Sequence, residues 1–156
     1  MRYLTLLLLL LATNTIQAAP PSPAAPGDPY QGGAVCLMAK WMGNTLDYAL
    51  VYGKRHPVLA LDEAEKVLRK KGYADYKVNV DIMHQQASSH LTHAFVIIIK
   101  SRFKTVRGKL RTSYGCGFSP SSHEHAQQLA IGDLQAYSWG WSPEKYKFEV
   151  VEQLRY

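Results

Sequence analysis

The stretch Ala94-Phe95-Val96-Ile97-Ile98-Ile99-Lys100-Ser101-Arg102-Phe103, followed by Leu110 to Phe118 and then by Ser121-Ser122-His123-Glu124, decides the fold. The run Phe95 to Ile99 is apolar at every position and rich in β-branched residues, and Lys100 ends it. So short an apolar run suits a strand buried on both faces, near the middle of a sheet. Leu110 to Phe118 returns as the second arm of a hairpin, with Thr105 to Gly108 as the turn. Ser121 and Glu124 have the spacing of a capping box, which predicts a helix start. Ala126, Leu129, Ala130 and Leu134 then supply its buried stripe. Tyr146 to Val150 is the closing strand, with Tyr146, Phe148 and Val150 on one face.

Upstream the same order is read a first time. Val35 to Trp41 and Leu46 to Tyr52 are strand-like runs around a Gly43-Asn44 turn. A helix is expected from about Leu59 to Lys71, with Leu61, Ala64, Val67 and Leu68 on its apolar face and Gly72 as its stop. Asp62 with Lys66, and Glu65 with Arg69, are i,i+4 ion pairs on its wet face. Lys77 to Ile82 alternates at period two, as a half-buried strand does. The halves align without a gap, Trp41 on Phe103, Tyr52-Gly53 on Tyr114-Gly115, Ala64 on Ala126 and Val67 on Leu129. An internal duplication of about 33–84 and 93–156 is therefore expected. The fold class is α+β: two ββαβ-like halves forming a largely antiparallel sheet with two helices packed on one face.

Residues 1–18 read as a secretory signal peptide. Arg2 is the charged start, Leu4 to Ala12 the apolar run, and Ala18 the small residue at the exit. That run is far short of the roughly 20 residues that span a bilayer, and no other stretch is longer. Residues 19–32, dense in Pro and Ala, read as a disordered leader. Residues 33–156 then form a single domain, exported to the periplasm or secreted.

The chain holds 18 Lys and Arg against 12 Asp and Glu; without Arg2 the balance is 17 to 12. Lys100, Arg102, Lys104, Arg107, Lys109 and Arg111 crowd into twelve positions with no acid among them, and the rest of the exported chain is close to neutral. Residues two apart in a strand share a face, so each arm of the hairpin carries a one-sided row of cations. Whether the rows share a face depends on register. Such a patch suits an acidic protein surface or an anionic envelope component. Nucleic acid is disfavoured, since no nucleic-acid motif surrounds the patch and export removes genomic DNA.

Cys36 and Cys116 are the two cysteines, and export permits a disulfide between them if geometry lets them meet. The alternative makes Cys116 a nucleophile with His123 or His125 as base. A metal held by His123 and His125 with His84, His90 or His93 is disfavoured, because an i,i+2 pair diverges on a helix. No metal and no cofactor is expected. Tyr137, Trp139 and Trp141 alternate with small residues and, if extended, make one aromatic face for a sugar or a partner's pocket. The expectation is an exported, non-catalytic binding protein, most concretely an inhibitor or immunity-type partner of an envelope-acting enzyme or toxin. An exported cysteine/histidine hydrolase and an envelope-polymer or sugar-binding module are the alternatives.

Overall fold

The computed structural model describes residues 32–73 and 83–156, with the backbone alone for 83–85. The expected signal peptide, most of the leader and the expected strand Lys77 to Ile82 lie outside the described residues. The order is β1 (Gly33–Trp41), β2 (Asn44–Lys54), α1 (Pro57–Lys70), β3 (Met83–Ser89), β4 (Phe95–Lys104), β5 (Leu110–Ser119), α2 (His123–Tyr137) and β6 (Phe148–Arg155). Both halves are thus ββαβ, and the α+β class stands.

Local chemistry moves several boundaries. The first turn is Met42-Gly43, both left-handed with φ of 50° and 73°, the geometry whose twist suits a two-residue hairpin. Asn44 already belongs to β2, and its Oδ1 accepts from the Thr112 N–H at 2.7 Å. Helix α1 starts at Pro57, earlier than expected, because proline fits the first helical turn. His56 caps it, Nδ1 accepting from the Val58 N–H at 3.2 Å. Helix α2 is capped by Ser122 rather than Ser121, its Oγ accepting from the His125 N–H at 3.2 Å. Ser121 instead donates its N–H to Ser119 Oγ at 3.0 Å.

Where the sequence suggested one sheet, there are two. Their orders are β2-β1-β3 and β5-β4-β6, all pairs antiparallel. Alternation along the strands shows how they stack. Val35, Leu37, Ala49 and Val51 pack with Ala60, Ala64 and Leu68 of α1. Ile97, Ile99 and Phe103 pack with Ala126, Ala130 and Leu134 of α2. The residues between them in sequence form a third cluster: Cys36, Met38, Ile98, Tyr114 and Cys116, with Tyr48, Leu50, Ala87 and Phe118 against it. The sheets therefore face each other, and each carries its helix on its outer face. Burial of Ile97, Ile98 and Ile99 contributes about 1.5–3 kcal/mol apiece. Leu129, expected in the stripe, is 42% exposed. Gly115 and Gly117 let α2 lie close on β5, since a Cβ on either would strike backbone atoms of Ala126 or Ala130.

The halves match in register as well as in order. Cys36 pairs with Leu50 in the first hairpin and Ile98 with Cys116 in the second, so equivalent positions lie 62 apart on β1 and β4 and 66 apart on β2 and β5. The helices keep the second offset, Ala60, Ala64 and Leu68 matching Ala126, Ala130 and Leu134. The gapless alignment is thereby corrected: beyond Trp41 and Phe103 it slips by four, and Tyr48, not Tyr52, is the counterpart of Tyr114. A β-bulge also recurs, between Cys36 and Leu37 and between Ile98 and Ile99. Tyr48 and Tyr114, each other's counterpart, meet with ring centroids 5.3 Å apart. The four additional residues fall at the tip of the second hairpin, where the connection runs over 105–109 against Met42-Gly43 in the first.

Candidate functional site

That longer connection and the strand ends that flank it carry the basic cluster. Lys100 lies opposite Tyr114, Arg102 opposite Thr112 and Lys104 opposite Leu110, whereas Phe103 lies opposite Arg111. Cross-strand partners share a face, so the two rows point to opposite sides of the hairpin. Lys100, Arg102 and Lys104 take the side of Tyr114; Arg111 and Lys109 take the side of Phe103 and α2. Lys100 pairs with Glu149 at 3.2 Å. Among the described residues the other five cations have no carboxylate partner. Arg102, Lys104, Arg107 and Lys109 are exposed. Arg111 is half-buried against the first hairpin, where a side chain at Gly43 would collide with its guanidinium.

The second row borders a cleft of about 350 Å³ between the hairpin tip and the end of α2. Arg107, Lys109 and Arg111 line one side, and Tyr137, Ser138 and Trp139 the other. No acid lines it. The C-terminus of α2 contributes about half a negative charge, well below three guanidinium and ammonium charges. Lys40 adds another cation nearby, its Nζ 4.9 Å from the Tyr137 ring centre. Ser138, the C-cap of α2, is 2% exposed, and its Oγ has no hydrogen-bond partner among the described residues. Leaving a buried hydroxyl unpaired costs about 1–3 kcal/mol.

The aromatic segment is not one extended face. Tyr137 ends α2, and the chain turns at Ser138, whose carbonyl accepts the Trp141 N–H at 2.9 Å. Trp141 is core, 5% exposed, its Nε1 donating to Ser101 Oγ at 2.8 Å. Trp139 is 81% exposed. Two of the three aromatics thus join part of the basic cluster in one cleft, a meeting no sequence spacing revealed.

Cys36 and Cys116 form a disulfide across the two sheets, with Cα atoms 6.5 Å apart. Cys116 is 3% exposed and offers no thiol in this state. The two histidines of the hydrolase reading have other partners. His123 Nε2 lies 3.0 Å from the Leu154 carbonyl and its ring meets Phe95 edge-on; His125 Nδ1 lies 3.0 Å from Ser119 Oγ. His56 and His90 meet edge-on, and His93 is exposed. His84 sits in β3 opposite Met38, its side chain outside the described residues. Among the described residues no three candidate ligands gather around a metal position.

One polar cluster escaped the sequence. Gln86 is the residue the first β-bulge leaves unpaired on β3. Its amide donates to the Tyr114 carbonyl and, at 2.9 Å, to Asp133 Oδ2. Asp133, on α2, also accepts the Cys116 N–H at 2.7 Å. Burial outweighs these donors and raises the Asp133 carboxyl to about 6. On the other side of the bridge Tyr48 donates to Glu152 at 2.9 Å; burial first, then this carboxylate, push its phenol well above the ordinary range. Both clusters tie one half to the other.

No protein-family model, no curated protein and no solved structure matches the chain. Among the described residues no helix is long and apolar enough to cross a membrane.

Proposed function

We propose that the protein is an exported, non-catalytic binding protein that docks its long basic hairpin on an acidic face of another protein. The most concrete version is an inhibitor or immunity-type partner of an enzyme or toxin acting on a bacterial envelope. One observation carries this reading. The second hairpin exceeds its counterpart by four residues, and the connection so lengthened, with its flanks, presents cations that no carboxylate of the described residues neutralises. Like charges held together repel, and an opposing acidic surface offsets this while steering encounter. Export is supported by the leader sequence and by the Cys36–Cys116 disulfide, which persists in oxidising compartments.

The test is capture from envelope extract by mature protein and by the variant Arg102→Glu with Lys104→Glu, then reconstitution with the purified partner. A 1:1 complex of low micromolar affinity or tighter is expected, weakening steeply with salt and lost in the variant. Binding that is unchanged in the variant refutes the docking role of the hairpin. Recovery of polysaccharide alone refutes the protein-partner reading.

A further inference from the structure

We propose that the cleft between the hairpin tip and the end of α2 is a ligand site for an acidic sugar, a pyranose ring bearing a carboxylate. The proposal rests on the hairpin being the binding element, but it uses the face opposite Arg102 and Lys104. The volume, about 350 Å³, lies at the lower end of small-molecule sites, roughly 300–1,000 Å³. Three independent features converge there. Arg107, Lys109 and Arg111 offer charge and forked donors to a carboxylate. Ser138 lines the cleft, and its Oγ is buried and has no hydrogen-bond partner among the described residues. Trp139 is 81% exposed at the rim, whereas its neighbour Trp141 shows how this chain buries an indole it needs for packing.

Ligand chemistry follows from requiring all three at once. An aspartate or glutamate side chain meets the cations but leaves the indole and the serine unused. A neutral sugar meets the indole and serine but leaves three cations unopposed. A carboxylated sugar presents a flat C–H face to Trp139, hydroxyls to Ser138 and a carboxylate to the arginines.

The experiment is calorimetric titration of mature, oxidised protein with trigalacturonate, alongside maltotriose, citrate and adenosine monophosphate, with amide NMR shifts locating the site. Saturable trigalacturonate binding is expected, at least tenfold tighter than each of the other three, with shifts centred on Gly108 and Trp139. Trp139→Ala should weaken it tenfold or more, and Ser138→Ala about threefold to tenfold. Arg107→Gln, at an exposed position that does not threaten folding, should weaken it about tenfold. The Arg102→Glu, Lys104→Glu variant should bind the sugar within twofold of the parent, although it loses the protein partner. Equal binding of citrate, tighter binding of the nucleotide, no saturable trigalacturonate binding, or indifference to Trp139→Ala and Arg107→Gln would each overturn the assignment. None of these results touches the docking reading, which is tested by the capture experiment and the Arg102→Glu, Lys104→Glu variant.

Discussion

Replacing Cys36 and Cys116 with alanine removes the covalent tie between the facing sheets. The bridge spans 80 residues of sequence. Chain entropy for a loop of that length gives about 4.5 kcal/mol of stabilisation at 25 °C, through restriction of the unfolded chain. Total stability of a domain this size is about 5–15 kcal/mol, so the double variant retains a folded state with much of its margin gone. Packing changes little by comparison, because Met38, Leu50, Ile98 and Tyr114 continue to fill the layer between the sheets. Urea unfolding followed by tryptophan fluorescence measures this directly. With a slope of roughly 1–3 kcal/mol/M, the midpoint should fall by about 1.5–4.5 M. Cys36→Ala and Cys116→Ala alone should each cost about as much as the pair, since either breaks the same bond. A loss under about 1 kcal/mol, or single costs that add, would refute the account of the bridge as the tie between halves. Binding through the hairpin should persist in all three variants under conditions where they stay folded, which a thiol hydrolase would not allow.

Asp133 should make stability pH-dependent. Its folded carboxyl sits at about 6 against 3.8 unfolded, so its contribution is fully present below about 4 and is lost as pH rises through 6. The difference is about 2 kcal/mol once partial solvent screening is allowed for, and Asp133→Asn should flatten this part of the profile in thermal melts across pH 4–7. Gly117→Ala should cost about 3 kcal/mol or more by chemical denaturation, because the new methyl meets the backbone of α2 at Ala126 and Ala130. Gly132→Ala should instead raise stability by about 0.5–1 kcal/mol, as the position is helical with nothing within 4 Å of the added carbon. Trp141→Phe should lower stability by about 1–3 kcal/mol, stranding Ser101 Oγ as an acceptor, while Trp139→Ala should leave it within about 0.5 kcal/mol.

Strand, strand, helix and strand were legible twice in the chain because each element has its own period and its own punctuation. Phe95 to Ile99 reads as a buried strand from composition alone. The second sheet was written less openly: β1 is buried at every position from Gly33 to Ala39, which is what a strand with a helix on one side and a sheet on the other requires. The four-residue difference between the hairpins stayed hidden because Tyr52-Gly53 coincidentally matches Tyr114-Gly115 when no gap is allowed. For the site, the cations were visible as composition, but their division between two faces is a property of register. Trp139 and Trp141 alternate in sequence yet part company because the chain turns after α2. Asp133 looks like any acid on a helix; only the approach of Gln86, from the other half and freed by a bulge, reveals it as half-buried.

The correspondence of the halves also bears on how the molecule is connected. The backbone passes from one half to the other along a single short crossing, between Ser89 and Ala94, and the chain's last residue, Tyr156, pairs back with Ala94 while its ring stacks on Tyr52. Cleavage within that crossing would leave two ββαβ fragments still joined by Cys36 and Cys116. Their assembly is then unimolecular, with each fragment held at an effective concentration on the order of millimolar. Reduction would turn the same nicked molecule into a bimolecular complex that dissociates on dilution.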